Sequence, residues 1–226
     1  MSINTVEKID DRVRIETVLL SVSDKTALET FVPGLLDVNP GVRFLSTGGT
    51  YKKLQEILGE RAGDRLSAVA DYTGQPETQG GLVKTLDFKI YLGLLTETYN
   101  EDHQGDLART GGAPIDMVVV NLYPFVRTVA RPDVSLEQAR GNIDIGGPCM
   151  IRAAAKNFIR VASVVDPADY DGVLAEMQRR QGALGLETRF RLARKAFDHT
   201  AVYDRAIAEF LAGRPAAEAH RPYRFA

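Results

Sequence analysis

The sequence predicts an α/β fold, in which helices cover both faces of a parallel sheet and one long helix follows it. First, short apolar runs rich in β-branched residues alternate with amphipathic segments along the chain. Second, these runs are apolar throughout, which is typical of parallel strands buried on both faces. Third, apolar side chains recur with a helical period near the C-terminus, for example at Phe190, Phe197 and Tyr203. Such sheets bind ligands at the carboxyl ends of their strands, where we expect the chemistry.

The predicted strands follow the apolar runs, of which MVVVNL at 117–122 is the clearest. In order, we predict strands at Thr17–Val22, 42–45, 66–70, 117–122 and 161–165. The predicted helices are 25–36, 49–58, 167–180 and 186–211. A further helix is predicted to begin at Pro148, because proline suits the first helical turn.

The chain has 226 residues, which is enough for one large domain. We interpret residues 15–212 as that domain and residues 1–14 as an N-terminal extension. Residues 213–226 combine prolines and charges without a clear period, so we predict a tail that is loosely ordered or docks without regular structure.

The composition excludes several classes of function. With 28 Lys+Arg against 30 Asp+Glu, the chain lacks the basic excess of a general nucleic-acid or membrane-surface binder. The N-terminus has no signal-peptide pattern, and no segment approaches the ~20 apolar residues of a membrane helix. A cytoplasmic location is therefore expected. The single cysteine, Cys149, and three scattered histidines disfavour a disulfide or a metal site, so we predict neither metal nor cofactor.

Two strand-to-helix junctions carry the signals of an anion site. The first contains Ser21, Ser23 and Lys25, and the second contains Thr47, Gly48, Gly49 and Thr50. Helix N-termini favour anions, and glycine lets the backbone approach a phosphate closely. Simple helix capping by Ser23, Asp24 or Thr47 is the alternative. Neither junction matches the Walker or dinucleotide glycine pattern, so a small phosphorylated ligand is favoured over ATP or NAD.

Three further places offer chemical groups. Asn121 and Tyr123 leave the clearest strand and suit recognition of a base, unless they form a turn with a packed aromatic ring. Lys84 follows a glycine pair but, taken alone, is typical of a surface lysine. Asp144 and Lys156 could pass a proton or form a structural ion pair, and their contact requires the chain to fold back.

Together these blocks resemble a known family, the IMP cyclohydrolase domain of the bifunctional purine enzyme that also carries AICAR transformylase. The matching stretches, in the family's order, are LLSVSDKT (19–26), LSTGGT (45–50), DYTGQPET (71–78), VKTL (83–86), IDMVVVNLYPF (115–125), NIDIGGPCMIRAAAKN (142–157) and KAFDHTAVYD (195–204). The resemblance covers nearly the whole chain. It implies the Rossmann-like fold of methylglyoxal synthase, here as a stand-alone chain without the transformylase domain.

The resemblance also implies a reaction, the dehydrative closure of FAICAR to IMP in purine biosynthesis without a cofactor. The carboxamide nitrogen of FAICAR attacks its neighbouring formyl carbon, and water is lost. An enzyme must take a proton from that nitrogen and stabilise the oxyanion, for which each preorganised donor contributes on the order of 3 kcal/mol.

The family's roles transfer to matching positions of this chain. The phosphate is expected on Ser21, Ser23, Lys25, Thr47, Gly48, Gly49 and Thr50. Lys84 and Thr85 are expected at the reacting end, with Lys84 near the oxyanion, and Asn121 and Tyr123 beside the base. The expected catalytic residues are Lys84, Tyr123, Asp144 and Lys156. Asp144 and Lys156 are expected to form the proton-transfer pair, with the backbone N–H groups of Ile145 and Gly146 as donors.

The segment around Lys84 departs from the family pattern. Leu82 replaces an arginine, Asp87 and Tyr91 replace histidines, and Gln75 stands in the TGQPE stretch. These changes leave open a relative that acts on another phosphorylated ligand, or a nucleotide sensor without turnover. The retained Lys84, Asp144 and Lys156 argue against a pure sensor. A homodimer and a separate formyl-transferring enzyme are hypotheses for partners.

Overall fold

The computed structural model describes residues 5–75 and 85–224. Its strands are β1 (Arg12–Arg14), β2 (Thr17–Val22), β3 (Arg43–Ser46), β4 (Leu66–Ala68), β5 (Met117–Asn121), β6 (Ala162–Val164) and β7 (Ala183–Gly185). Strands β2 to β6 form a five-stranded parallel sheet in the order β4-β3-β2-β5-β6, while β1 pairs antiparallel with β7. The predicted parallel sheet is confirmed.

Helices surround this sheet. They are α1 (Leu28–Val38), α2 (Gly48–Leu58), α3 (Val69–Thr73), α4 (Phe88–Leu95), α5 (Glu101–Thr110), α6 (Phe125–Val129), α7 (Leu136–Gly141), α8 (Gly146–Lys156), α9 (Tyr170–Arg179) and α10 (Leu186–Ala212). Short 3-10 helices occupy Gly59–Arg65, Pro167–Asp169 and Ala216–His220. Among the described helices, none is long and apolar enough to cross a membrane.

Two apolar layers hold the sheet between the helices. Because successive strand side chains point to opposite faces, Val18 and Leu20 join one layer and Leu19 joins the other. Helices α1, α2 and α9 cover the first face, and α4, α8 and α10 cover the second. Both faces of the central strands are therefore buried, which explains why their sequences are apolar throughout.

The order of the strands creates a crevice. The chain runs from β2 outward through β3 to β4, and later returns to place β5 on the other side of β2. Residue Val22 at the end of β2 pairs with Asn121 at the end of β5. The connections that leave these neighbouring strands diverge, which is where open α/β sheets bind ligands.

Several predicted boundaries are corrected. The first helix begins at Leu28 and not at 25, because Ala27 adopts a left-handed conformation with φ of 60°. The strand predicted at 66–70 ends at Ala68, where α3 follows. The tail includes the 3-10 helix Ala216–His220, so its predicted lack of regular structure is wrong.

Several elements of the described chain were not anticipated. Strand β1 lies within the predicted N-terminal extension, yet it pairs with β7. Helices α4 to α7 fill the long connection on either side of β5. In contrast, the strand Thr17–Val22 has the predicted bounds, and the long C-terminal helix ends one residue beyond its predicted end.

Candidate active site

A cavity of about 590 Å³ opens at the carboxyl ends of β2, β3 and β5. Of the predicted site residues in the described part of the chain, all but Lys156 line it: Ser21, Ser23, Lys25, Thr47, Gly48, Gly49, Thr50, Thr85, Asn121, Tyr123, Asp144, Ile145 and Gly146. The lining also includes Val22, Leu86, Gly141, Asn142, Ile143, Gly147 and Met150, which were not predicted. Five segments that are distant in sequence, within 21–25, 47–50, 85–86, 121–123 and 141–150, therefore meet in one cavity.

The start of α2 forms an anion cradle, composed of Thr47, Gly48, Gly49 and the ammonium group of Lys25. Thr47 has extended backbone and its side chain does not cap the helix, so the first amides of α2 need an outside partner. The Lys25 Nζ atom lies 4.0 Å from the point where a Gly49 Cβ would stand. Helix amides beside an ammonium group favour a phosphate at this end of the cavity.

Thr50 lies in the cavity but its hydroxyl is already engaged. It accepts a hydrogen bond from the Val22 N–H and donates one to the Val22 carbonyl oxygen, both at 3.0 Å. A hydroxyl carries one proton, so Thr50 is not free to donate to a phosphate. The predicted role of its side chain as a phosphate donor is therefore corrected to that of a clamp between α2 and β2.

Asn121 also has a structural task, besides the predicted one beside a base. Its side-chain oxygen accepts from the backbone N–H groups of Ser23 and Asp24 at 2.7 and 2.8 Å. Its side-chain nitrogen donates to the Asp24 carbonyl oxygen at 2.9 Å. These bonds engage the oxygen and one of the two N–H groups, so Asn121 shapes the loop after β2 and keeps one N–H group for a ligand.

Asp144 enters the cavity from the loop before α8. Its Oδ1 atom accepts from the Gly147 N–H at 2.9 Å, and its own N–H donates to the Tyr203 hydroxyl at 2.7 Å. Partial burial raises the pKa of this carboxyl above its ordinary value, although the Gly147 hydrogen bond opposes the rise. A raised pKa makes the carboxylate a better proton acceptor.

The close approach of α8 to this carboxylate requires glycine. A Cβ atom at Gly147 would lie 2.6 Å from Asp144 Oδ2 and 2.7 Å from Leu122 Cδ2. At Gly146, a Cβ atom would overlap the Thr85 hydroxyl. The two glycines therefore let the amino end of α8 approach the ligand space beside Asp144 and Thr85.

The predicted pair of Asp144 and Lys156 is not formed in this chain. Lys156 is exposed at the last residue of α8, and it does not line the cavity. A rise of 1.5 Å per residue places it about 15 Å along the helix from Gly146. The chain does not fold back, so the expected contact is wrong. The predicted Lys84 lies outside the described residues, as does Leu82.

Two of the departures from the family pattern lie away from the cavity lining. Asp87 is buried and caps α4 by accepting from the Lys89 N–H at 2.7 Å. Tyr91, on the same helix, packs half-buried against the second apolar layer, and this burial raises the pKa of its hydroxyl. Neither side chain lines the cavity.

No set of three or more His, Cys, Asp or Glu residues within 5–75 and 85–224 is arranged to hold a metal ion. The site is therefore built from hydroxyls, amides, an ammonium group and a carboxylate. Tyr123 stands at its rim with 59% of its surface exposed, where its ring is available to a ligand.

Comparison with known proteins places this geometry in a family. A model described as "MGS-like domain" matches residues 29–149, and one described as "AICARFT/IMPCHase bienzyme" matches residues 154–225. The parallel sheet and its carboxyl-edge cavity thus define the chain as an MGS-like domain. The chain belongs to the family of the IMP cyclohydrolase domain of that bienzyme.

The relatives support the same assignment. The bifunctional purine biosynthesis protein PurH of Sorangium cellulosum is 51% identical over 201 residues, which are 89% of this chain and 37% of that protein. PurH of Ruminiclostridium cellulolyticum is 47% identical over 197 residues, covering 87% of this chain and 37% of that protein. The chain thus spans little more than a third of these relatives' length.

One relative of known structure is closer in length to this chain than the PurH proteins are. The crystal structure of ForH superposes with a TM-score of 0.72 at 36% sequence identity. The match covers 87% of this chain and 98% of the ForH chain. The fold of the described residues is therefore shared with a relative over almost the whole of that relative.

Proposed function

We propose that this chain is an IMP cyclohydrolase, which closes FAICAR to IMP without a cofactor. The observation that carries the proposal is the composition of the cavity. At one end it has an anion cradle, and at the other a carboxylate of raised pKa beside the amides that begin α8. These two ends of the cavity match a ligand that has a phosphate at one end and, at the other, a group that loses a proton and forms an oxyanion.

Binding begins at the cradle. The phosphate of FAICAR accepts hydrogen bonds from the first amides of α2 and pairs with Lys25, as anions do at helix N-termini. Ser21 and Ser23 line the same end and add hydroxyl donors. This anchoring directs the ribose and the imidazole toward Tyr123 and the loop of Asp144.

Ring closure then needs two kinds of group at the far end. As the carboxamide nitrogen forms a bond to the formyl carbon, it gives one proton to Asp144. The negative charge on the former formyl oxygen is stabilised by the amides of Ile145 and Gly146, with Lys84 proposed as a cationic donor. The oxygen is protonated and leaves as water, while the formamide nitrogen loses its proton and becomes part of a C=N bond.

Turnover of FAICAR by the purified chain, followed by absorbance without added metal, tests the proposal. We expect turnover in the wild-type protein and a loss of about a hundredfold or more in kcat for Asp144→Asn, because proton transfer contributes that much. Asp87→Asn is the matched control, since Asp87 is a buried helix cap and asparagine also caps helices. This control is expected to keep wild-type kcat.

The other outcomes separate the alternatives. Binding of IMP without turnover of FAICAR would identify a nucleotide sensor and contradict the proposal. Neither binding nor turnover would indicate a relative that acts on a different phosphorylated ligand. Equal loss of kcat in Asp144→Asn and Asp87→Asn would show that Asp144 has no special part in the reaction.

A further inference from the structure

The long helix α10 contacts the loop that carries Asp144 through one hydroxyl group. Tyr203, in the KAFDHTAVYD stretch, lies 59 positions after Asp144, and its hydroxyl accepts from the Asp144 N–H at 2.7 Å. Tyr203 does not line the cavity, and only 8% of its surface is exposed. It therefore touches the loop that carries the carboxylate and not the space for the ligand.

The ring of Tyr203 is held by aromatic packing. It meets Phe125 edge-on, with 6.2 Å between the ring centroids, and Phe125 meets Phe210 at 5.8 Å. These rings come from α6 and α10, so the position of the hydroxyl is set by the core and not by the loop. A phenylalanine ring would fill the same space and remove only the hydroxyl.

The loop before α8 is fastened differently on its two sides. The N–H groups of Asn142 and Ile143 donate to carbonyl oxygens at the end of α7, at 3.1 and 3.2 Å. At Asp144, the backbone is fastened to Tyr203 and the side chain to the Gly147 N–H. The Tyr203 bond thus ties the Asp144 backbone to α10, whereas the two residues before it are tied to α7.

We propose that Tyr203 is a positioning residue, which orients the Asp144 carboxylate for proton transfer by holding its backbone N–H. This inference rests on the proposed function of Asp144 as proton acceptor. The anion cradle is built from the loop after β2 and from α2, whereas Tyr203 makes its hydrogen bond with Asp144 and its ring contact with Phe125. Loss of the hydroxyl therefore affects the chemical step and spares the binding of the phosphate.

Steady-state kinetics of Tyr203→Phe with FAICAR test the inference. We expect kcat to fall on the order of tenfold, as small misplacements of a reacting group do, while KM changes by less than about twofold. The matched control is Tyr72→Phe, whose hydroxyl also accepts from a backbone N–H, that of Ala113 at 2.8 Å. Ala113 lies before the amino end of β5, so the control is expected to keep wild-type kcat.

A double-mutant comparison separates positioning from general damage to the fold. In the Asp144→Asn background, Tyr203→Phe should cause no further fall in kcat, because the group it positions is no longer a base. The same fall in both backgrounds would overturn the inference. An unchanged kcat in the single variant would also overturn it. Thermal unfolding of each variant shows that the protein is folded under the assay conditions.

A readout without turnover keeps this inference distinct from the proposed function. If the wild-type protein does not convert FAICAR, the proposed function fails. The hydrogen exchange of the Asp144 amide still tests the contact: slow exchange in the wild type and fast exchange in Tyr203→Phe supports the positioning bond. Equal exchange in both proteins shows that Tyr203 does not hold the loop, whatever the substrate.

Discussion

At the scale of single residues, hydrogen bonds divide one polar lining into groups that act on a ligand and groups that shape the cavity. Asn121 and Thr50 line the cavity, but their polar atoms hold the backbone at the end of β2 and after it. Lys25 and Asp144 can still bind a ligand, because both line the cavity and their few hydrogen bonds leave each charged group open to it. Residue type alone does not distinguish these two groups, because the difference lies in their partners.

The pKa of Asp144 predicts how activity depends on pH. Burial raises this pKa above the ordinary value of 3.8, and a proton acceptor works only when deprotonated. We therefore expect kcat/KM to fall as pH decreases through the raised pKa, so that activity is lost at a pH above 3.8. A pH–rate profile of kcat/KM measures this limb. A profile that is flat down to pH values near 3.8 would contradict Asp144 as the base.

At the scale of elements, the amino ends of two helices face each other across the cavity. Helix α2 presents its first amides beside Lys25, and α8 presents its first amides beside Asp144. Both helices have 11 residues, and each begins with a pair of glycines that lets the backbone approach a ligand. The strands place these two ends opposite each other, since β2, β3 and β5 are parallel neighbours.

Lys25→Ala is expected to weaken the binding of phosphorylated ligands. Loss of a charge-assisted contact of about 1.5–3 kcal/mol corresponds to an increase of roughly 10- to 100-fold in KM for FAICAR or Kd for IMP. Calorimetric titration with IMP measures the change. Lys53→Ala is the control, because Lys53 lies on α2 but pairs with Glu29 at 2.7 Å outside the cavity. A similar loss in both variants would show that the effect comes from net charge and not from the cradle.

At the scale of the whole molecule, the carboxyl and amino ends of the parallel strands have different tasks. The cavity lies at the carboxyl ends of the strands, whereas the buried Arg160 stabilises the structure at their amino ends. Arg160 pairs with Asp116 at 3.0 Å and donates to the carbonyl oxygens of Gly93, Ile115 and Thr96. Asp116 in turn accepts from the N–H groups of Glu16 and Thr17 at 3.0 and 2.9 Å. This network joins the starts of β2, β5 and β6 to the end of α4.

Arg160→Leu is expected to destabilise the fold by about 3–5 kcal/mol, because it leaves the Asp116 carboxylate buried without its cation. Denaturant unfolding at neutral pH measures the loss. Arg109→Leu is the matched control, since its pair with Asp106 is exposed and worth about 0–1 kcal/mol. A loss in Arg160→Leu no larger than in the control would show that the buried network contributes little.

The sequence predicted much of this molecule because its signals are local. Apolar runs such as Thr17–Val22 fix strands by composition, and the glycines and hydroxyls after them mark the ends where a parallel sheet binds ligands. The helices between β4 and α8 escaped prediction because several are too short for a clear period, as α6 and α7 show with five and six residues. Strand β1 escaped because two of its three residues carry charges and it gains a partner only from β7.

The sequence by itself determined the fold class, the two strand-to-helix junctions and most of the residues that line the cavity. The tertiary structure alone decided which of those residues are free to act. Asn121 meets Ser23 across 98 positions, Asp144 meets Tyr203 across 59, and Lys156 is carried away from Asp144 by the length of α8. Hydrogen-bond partners depend on strand register and helix rise over such separations, and local residue patterns do not encode them.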